Sequence, residues 1–260
     1  MSLFSQFKAI VRSSIAPGAG KRAQVGGAFQ FAKDFDNQPG VGLIVGGSAS
    51  GKTVFLSEVC KNLTGCVVHL SLADTELPGW SEAPFHGLFT SSTLRKPCAK
   101  ELSSILDSRP SGHFALEFSS EVMHKNSATK RAIREELCEM LLCALTLSPD
   151  TQSPLSRVIL VVDDCKQLLT SKARDVLLRN GKTSNIHVIL VEQNLDFFGD
   201  EYIFNASYLA SFRHMGGNPQ ITEKKLGVPA GALAQLELGE FWYKSLAADK
   251  PFLLKFIMSV

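Results

Sequence analysis

Short apolar runs recur along the chain, separated by polar segments. Five of them begin at Val41, Cys66, His113, Arg157 and Asn185, and read VGLIV, CVVHLSL, HFALEFSS, RVILVVDDC and NIHVILVEQ. Strands that are apolar along their whole length are usually buried on both faces, as in parallel sheets covered by helices. The pattern therefore predicts an α/β fold with a mainly parallel central sheet and helices on both faces.

The segments between these runs predict the helices and the sheet edge. Helical periodicity follows the first run through about Asn62, covers Thr129 to Leu147, and continues from roughly Lys166 to Leu178. In the last third, SYLASF and a short helix near Ile221 to Leu226 precede EFWYKSL and FLLKFIM. The last two runs predict antiparallel edge strands near the C-terminus.

Glycine, serine and proline mark the segments outside this pattern. Residues 1–40 combine a short amphipathic stretch with Gly, Ser and basic residues, and we interpret them as a partly flexible N-terminal arm. Residues 41–260 then form one domain, with an insertion around residues 73–112 where prolines interrupt any sustained periodicity. The length of 260 residues suits one large α/β domain.

Composition narrows the class of protein. The formal net charge of +2 excludes a strongly basic, histone-like binder, so contact with nucleic acid would need a local patch. The six cysteines include no CxxC pair, which indicates thiols in a reducing compartment. No apolar run reaches the roughly 18 to 20 residues of a membrane span, and the N-terminus lacks a signal-peptide pattern. We expect a soluble intracellular protein.

The first apolar run ends in GGSASGKT, which matches G-x-x-x-x-G-K-[ST] at every fixed position. The glycines let backbone amides approach phosphates, the lysine reaches the β and γ phosphates, and the threonine hydroxyl coordinates Mg²⁺. A glycine-rich turn without a ligand is the alternative, but the predicted strand before and helix after favour the functional interpretation. We predict an ATP- and Mg²⁺-binding loop formed by Gly46, Gly47, Ser48, Ala49, Ser50, Gly51, Lys52 and Thr53.

Polar residues at later strand ends predict the rest of the site. Asp163 follows VILVV, where a carboxylate reaches the Mg²⁺ shell, and Asp164 is placed to act as a base or to orient water. Gln193 ends the next strand, where its amide could bind the γ-phosphate or the attacking water. Each could instead be an ordinary strand-end residue. Together with Lys52, they predict hydrolysis by positioning and charge neutralisation.

One charge donor is missing from this set. Ring-forming NTPases commonly receive it as an arginine from the neighbouring subunit. The candidates are three cations near the predicted strand ends or their approaches, Arg179, Lys182 and Arg213. Each such residue is more often a solvated surface charge.

An ordered series of motifs spans about Val41 to Tyr243: LIVGGSASGKTVFL, ILVVDDC, NGKTSNIHVILVEQ, NASYLASFR, KKLGVP and LELGEFWY. This series resembles the FtsK/HerA superfamily and, within it, most resembles the genome-packaging ATPases of double-stranded DNA viruses, including the poxvirus type. The loop motif is generic, whereas the acid pair, the strand-end glutamine and the late LGEF segment in this order are more specific.

The resemblance implies a RecA-like P-loop NTPase that forms a ring, a hexamer or a pentamer, and couples ATP hydrolysis to moving double-stranded DNA into a preformed capsid. Its partners would be DNA, identical subunits and a capsid or portal-vertex protein. Its location would be the host-cell cytoplasm, the virus assembly site or the virion. Lys52 and Thr53 match the family's nucleotide and Mg²⁺ residues, Asp163 the Mg²⁺ acid, Asp164 the catalytic acid and Gln193 the sensor.

The chain departs from the family pattern at two positions. Many superfamily members have Glu where this chain has Asp164, a choice shared with the poxvirus type, and Lys182 stands where the poxvirus pattern has arginine. An ammonium cannot reproduce a guanidinium fork on phosphate, so the arginine finger stays unassigned. Alternatives are a secretion, conjugation or phage-assembly ATPase, a nucleotide kinase, and a nucleotide-binding ring scaffold without turnover.

Overall fold

The architecture is seen in a computed structural model, which describes residues 24–38, 40–71, 112–117, 135, 138, 158–180, 186–193, 195–199, 203, 206–214, 219–245, 248 and 250–256. Within these ranges, the strands are β1 Gln24–Val25, β2 Val41–Val45, β3 Cys66–Ser71, β4 Gly112–Glu117, β5 Val158–Val162, β6 Ile186–Glu192, β7 Tyr208–Phe212, β8 Glu240–Ser245 and β9 Phe252–Lys255. The helices are α1 Gly27–Asn37, α2 Lys52–Asn62, α3 Cys165–Leu168, α4 Ser171–Asn180 and α5 Pro219–Leu226, and a 3₁₀ helix covers Leu195–Phe197.

All the described strands belong to one sheet in the order β1-β9-β8-β7-β2-β6-β5-β3-β4. Within the part of this order that runs β7-β2-β6-β5-β3-β4, each strand is parallel to the next. β8 and β9 continue the sheet as an antiparallel pair, and the short β1 lies beside β9 in parallel orientation. The mainly parallel sheet and the antiparallel C-terminal strands confirm the predicted fold class.

Helices cover both faces of the sheet, and each face has its own core. Along β2, Leu43 and Val45 face the side packed by α3, α4 and α5, whereas Ile44 faces α1 and α2. Successive strand side chains point to opposite faces, so one apolar strand supplies both cores. The described cysteines are buried thiols with no disulfide among them: Cys60, Cys66, Cys138 and Cys165.

Part of the predicted N-terminal arm belongs to the domain. Residues 24–37 form β1 and α1, and α1 buries Phe31, Ala32 and Phe35, whose three- and four-residue spacing places them on one helix face. This face packs against α2 and the sheet. The domain boundary at residue 41 therefore excludes two elements that pack with it, while residues 1–23 lie outside the described residues.

The structure corrects one predicted helix. The segment 166–178 was expected to be a single helix, but α3 ends at Leu168 and Leu169 takes an extended conformation. The Thr170 hydroxyl then accepts a hydrogen bond from the amide of Ala173 at 3.2 Å, which caps the new helix α4. The predicted insertion around residues 73–112 and the helix over 129–147 lie outside the described residues, except for Gly112, Glu135 and Cys138.

Candidate nucleotide-binding site

The carboxyl ends of the parallel strands bring the predicted site residues to one edge of the sheet. β2 leads into the loop of residues 46–51, β5 into Asp163 and Asp164, and β6 into Gln193. β6 pairs with both β2 and β5 and so lies between them. Two strand spacings amount to about 10 Å, which leaves room for a bound group between the loop and the acids. Ligands of open parallel sheets commonly bind at this edge.

The loop follows a path that a side chain at its first position would block. Gly46 has a φ of 155°, and a β-carbon there would lie 2.6 Å from Cβ of Phe212. The amide of Gly47 donates a hydrogen bond to the carbonyl oxygen of Arg213 at 2.9 Å, which ties the loop to the end of β7. Gly51 then precedes the first residue of α2 in a left-handed conformation.

The other loop residues divide into an exposed rim and a buried floor. Ser48, Ala49 and Thr53 are exposed, whereas Ser50 is buried. Within the described part of the chain, the hydroxyl of Ser50 has no hydrogen-bond partner. An unsatisfied buried hydroxyl is unusual in a folded protein, and in a phosphate-binding loop it is a natural contact for a ligand oxygen.

Lys52 folds back over the loop. Its Nζ donates hydrogen bonds to the carbonyl oxygens of Gly46 at 2.6 Å and Gly47 at 2.8 Å. Burial lowers the pKa of Lys52, and the nearby carboxylates of Asp163, Asp164 and Glu192 oppose this shift. The ammonium therefore lies in the loop within electrostatic range of the acid pair, as the sequence predicted from separate motifs.

The two acids differ in burial. Asp163 is only 8% exposed, and burial, followed by the neighbouring Asp164, raises its pKa to about 6. Its Oδ1 accepts a hydrogen bond from the amide of Asp164 at 3.0 Å. Asp164 is half-buried and begins α3, yet its side chain makes no capping bond to that helix. Its carboxylate is therefore not committed to the helix start.

Backbone strain is concentrated at the same place. Among the described residues other than glycine, only Ala49 and Asp164 have positive φ angles, of 56° and 53°. One lies in the loop and the other in the acid pair. Left-handed non-glycine residues cluster at functional sites, where the surrounding structure holds them.

Glu192 at the end of β6 supports the acid pair. It is 7% exposed, and its two carboxylate oxygens accept hydrogen bonds from the amides of Lys166 at 2.8 Å and Gln193 at 2.7 Å. The bond from Lys166 joins the first turn of α3 to the end of β6, and the bond from Gln193 fixes the Glu192 side chain at that strand end. The side chain of Gln193 is exposed at this edge, where the predicted sensor would have to lie.

His214 is a further candidate site residue, which the sequence did not predict. It is 6% exposed, and its Nε2 lies 3.4 Å from the hydroxyl oxygen of Ser211. Burial, and then the charge of Lys52, lower its pKa, while Glu223 opposes the shift. A neutral imidazole therefore lies near the loop. Its only sequence signal was its place just after the strand SYLASF, which is informative once β7 is known to pair with β2.

Two of the three candidates for an arginine finger from a neighbouring subunit lie among the described residues. Arg213 is exposed beside the loop, and Arg179 is exposed near the end of α4. Lys182 lies outside the described residues. Their roles across a subunit interface stay predictions.

Comparison with known proteins gives structural matches only. No protein-family model and no curated protein matches the chain. The chain is similar to the genome packaging NTPase B204 from Sulfolobus turreted icosahedral virus 2 in complex with AMPPCP, with a TM-score of 0.52, 14% identity, and coverage of 84% of this chain and 98% of that one. It is also similar to B204, the DNA-packaging ATPase from Sulfolobus Turreted Icosahedral Virus, with a TM-score of 0.52, 14% identity, and coverage of 85% and 100%.

These matches define the class of protein by its fold. The chain has the RecA-like P-loop NTPase fold, as the motifs predicted, and the solved structures that it resembles include a viral genome-packaging NTPase. At this identity the likeness concerns the fold alone. Among the described residues, no helix is long and apolar enough to cross a membrane.

Proposed function

We propose that this protein is an ATPase that moves double-stranded DNA and that it packages a viral genome into a preformed capsid. The observation that carries the proposal is the convergence of Lys52, Asp163 and Asp164 at one sheet edge, where the three charges lie within electrostatic range of one another. The fold, shared with a genome-packaging NTPase, supports the choice of cargo.

The loop would bind the triphosphate. Lys52 would exchange the carbonyl oxygens of Gly46 and Gly47 for the β and γ phosphates, which are stronger acceptors for an ammonium group. The amides at the start of α2 present the positive end of the helix dipole to the same anion. The buried hydroxyl of Ser50 would then find a partner in a phosphate oxygen.

Thr53 and Asp163 are the residues that would hold Mg²⁺, which when bound neutralises charge on the phosphoryl oxygens. Asp163 fits this role because its carboxylate is buried with a raised pKa, so a cation beside it would stabilise the ionised form. No group of three or more His, Cys, Asp or Glu that could hold a metal occurs among the described residues. Mg²⁺ does not need one, since it commonly binds through one or two carboxylates, phosphates and water.

Asp164 and Gln193 would position the attacking water. Asp164 follows the Mg²⁺ acid directly, and its carboxylate is not used to cap α3. Gln193 directly follows β6, the strand between the loop and the acids, so its amide can approach the γ-phosphate from that side. This arrangement favours in-line attack by orientation rather than by a covalent intermediate.

A ring of identical subunits, a hexamer or a pentamer, would complete the site with a cation from the neighbouring subunit. Arg213 is one candidate because it is exposed beside the loop, and Arg179 and Lys182 are the others. A capsid or portal-vertex protein would anchor the ring at the site of virus assembly in the host cell. These partners follow from the proposed cargo.

The test is steady-state ATP hydrolysis with and without duplex DNA, for the wild type, Lys52→Ala and Asp164→Asn. We expect DNA to stimulate the wild type and each substitution to lower the rate by at least about a hundredfold. ATP binding should weaken in Lys52→Ala and persist in Asp164→Asn. Of these two residues, the lysine is the one proposed to contact the phosphates in the ground state. ATP-dependent displacement of a third strand from duplex DNA measures movement directly.

Other outcomes identify other functions. Hydrolysis that does not respond to DNA would remove the proposed cargo and favour a secretion or phage-assembly ATPase, whereas a conjugation ATPase would still act on DNA. ATP binding that depends on Lys52 but shows no turnover in any oligomeric state would favour a nucleotide-ordered ring scaffold.

A further inference from the structure

A tight turn with an exposed leucine at its tip lies at the same sheet edge and has no part in the phosphate chemistry. It covers Glu237–Glu240, just before β8, and closes with a hydrogen bond from the amide of Glu240 to the carbonyl oxygen of Glu237 at 3.1 Å. Gly239 has a φ of 83°, and a β-carbon there would lie 2.9 Å from the carbonyl oxygen of Phe256. The turn therefore requires the glycine of the LGEF segment, whereas it sets no requirement for leucine at position 238.

The end of β9 holds the turn in place. The amide of Phe256 donates to the carbonyl oxygen of Gly239 at 3.0 Å, and Nζ of Lys255 lies 3.1 Å from Oε2 of Glu237 and 3.8 Å from Oε1 of Glu240. Exposed ion pairs are individually weak, but here they act with two backbone hydrogen bonds. Leu238, at the tip, is thus presented in a fixed position.

Leu238 lies against the nucleotide loop. A β-carbon placed on Gly51 would be 3.1 Å from Cζ of Phe256 and 3.9 Å from Cδ1 of Leu238. Leu238 is nevertheless 55% exposed, and Val54, in the first turn of α2, is 43% exposed. Two of the four large exposed hydrophobic side chains among the described residues therefore flank the start of α2.

We propose that Leu238, together with Val54, forms the apolar wall against which the base of the bound nucleotide packs. The inference rests on the proposed binding of a nucleotide by the loop. The loop proposed to bind the phosphates ends at the start of α2, so apolar side chains that flank Gly51 are within reach of an attached nucleoside. Single exposed leucines are ordinary on protein surfaces, but this one is held rigidly where an aromatic base would need apolar cover.

The chemistry of the wall defines its selectivity. Leucine and valine side chains contact the face of a base but offer no hydrogen bond to its edge. A contact of this kind gains affinity from apolar burial and discriminates weakly between bases. ATP and GTP should therefore bind with similar affinity.

The test is calorimetric titration of the full chain with MgATP, MgGTP and Mg-tripolyphosphate. Leu238→Ala should weaken ATP and GTP by about three- to tenfold and leave tripolyphosphate unchanged, since the last ligand has no base. Phe252→Ala is the matched control. Phe252 is 47% exposed but begins β9, at the opposite end from Phe256, and its substitution should change none of the affinities.

Three results would overturn the inference. Unchanged ATP affinity in Leu238→Ala means that the base lies elsewhere, and an equal loss for tripolyphosphate means that the substitution disturbs the loop. A changed sedimentation coefficient with unchanged affinity means that a second copy of the chain covers Leu238. If Lys52→Ala weakens neither tripolyphosphate nor ATP, the proposed function fails instead, so the two failures can be told apart.

Discussion

The aromatic layer beneath α1 and the loop edge of the sheet belong to one domain but are built differently. In the aromatic layer, the ring of Phe31 lies between 5.7 and 6.3 Å from four other buried rings, those of Phe35, Phe55, Tyr208 and Tyr243. The polar atoms of that layer are satisfied as well. The hydroxyl of Tyr243 donates to Oδ2 of Asp34 at 2.8 Å, and that of Tyr208 lies 2.7 Å from the carbonyl oxygen of Gln38.

Among the described residues, the loop edge, unlike the aromatic layer, contains an unsatisfied polar group and strained backbone. It contains a buried carboxylate with a raised pKa at Asp163, a hydroxyl at Ser50 without a partner among the described residues, and left-handed conformations at Ala49 and Asp164. Local conflicts of this kind lower stability and are kept where a ligand resolves them. The aromatic layer therefore stabilises the fold, and the loop edge is where the proposed chemistry would take place.

The largest effect is expected from Phe31→Ala in the aromatic layer. Removing a fully buried ring should lower the free energy of unfolding by about 3 to 5 kcal/mol, because the neighbouring rings cannot close the cavity. Chemical denaturation monitored by circular dichroism measures the loss. Below the melting temperature, ATP affinity should be unchanged, since Phe31 is not part of the loop.

Phe29→Ala is the matched control on the same helix. Phe29 is 51% exposed, so its removal should change the free energy of unfolding by no more than about 0.5 kcal/mol. Equal effects of the two substitutions would show that α1 does not unfold with the domain. In that case residues 24–37 would belong to an arm after all.

At the loop edge, Asp163→Asn should raise the free energy of unfolding, whereas Phe31→Ala should lower it. The folded protein binds the Asp163 proton more tightly than the unfolded chain does, because burial raises its pKa from 3.8 to about 6. The ionised carboxylate therefore destabilises the fold at pH 7, and its neutral replacement should add about 1 to 3 kcal/mol to the free energy of unfolding. The measurement is denaturation in EDTA without nucleotide.

The pH dependence sharpens this prediction. The gain in free energy of unfolding from Asp163→Asn should reach its full value above pH 6. It should shrink as the pH falls toward 4, because the wild-type carboxyl becomes protonated in the folded state. Asp164→Asn is the control, and its effect should be smaller because Asp164 is half-buried. A lower free energy of unfolding in Asp163→Asn would contradict the view that the ionised Asp163 destabilises the fold.

The sequence was most informative where the signal is local. A strand, a glycine-rich loop and a helix follow one another directly in the chain, so the spacing of Gly46 to Thr53 predicts the local structure that is found. The acid pair was predictable for the same reason, because an uninterrupted apolar strand ends at Asp163. The parallel sheet followed from the two-sided burial that such strands require.

The missed features depend on contacts between distant parts of the chain. His214 lies near the loop because β7 pairs with β2, and local periodicity does not give the order of the strands in a sheet. Helix α1 was not predicted because its apolar spacing covers only about two turns after a glycine pair, and its place in the domain depends on packing against α2. The break at Leu169 arises from the competing cap at Thr170.

The smallest effect should come from Tyr243→Phe, which keeps the ring and removes only its hydroxyl. Burial, and then the nearby Asp34, raise the pKa of Tyr243, so the hydroxyl is a proton donor to Oδ2 of Asp34 at neutral pH. Losing this bond should lower the free energy of unfolding by about 1 kcal/mol, below the usual range for charged acceptors because water can reach the half-buried Asp34. A double-mutant cycle with Asp34→Asn, followed by urea denaturation, isolates the pair. Additive losses would show that the two groups stabilise the fold separately and that this hydrogen bond adds nothing to the packing of the rings.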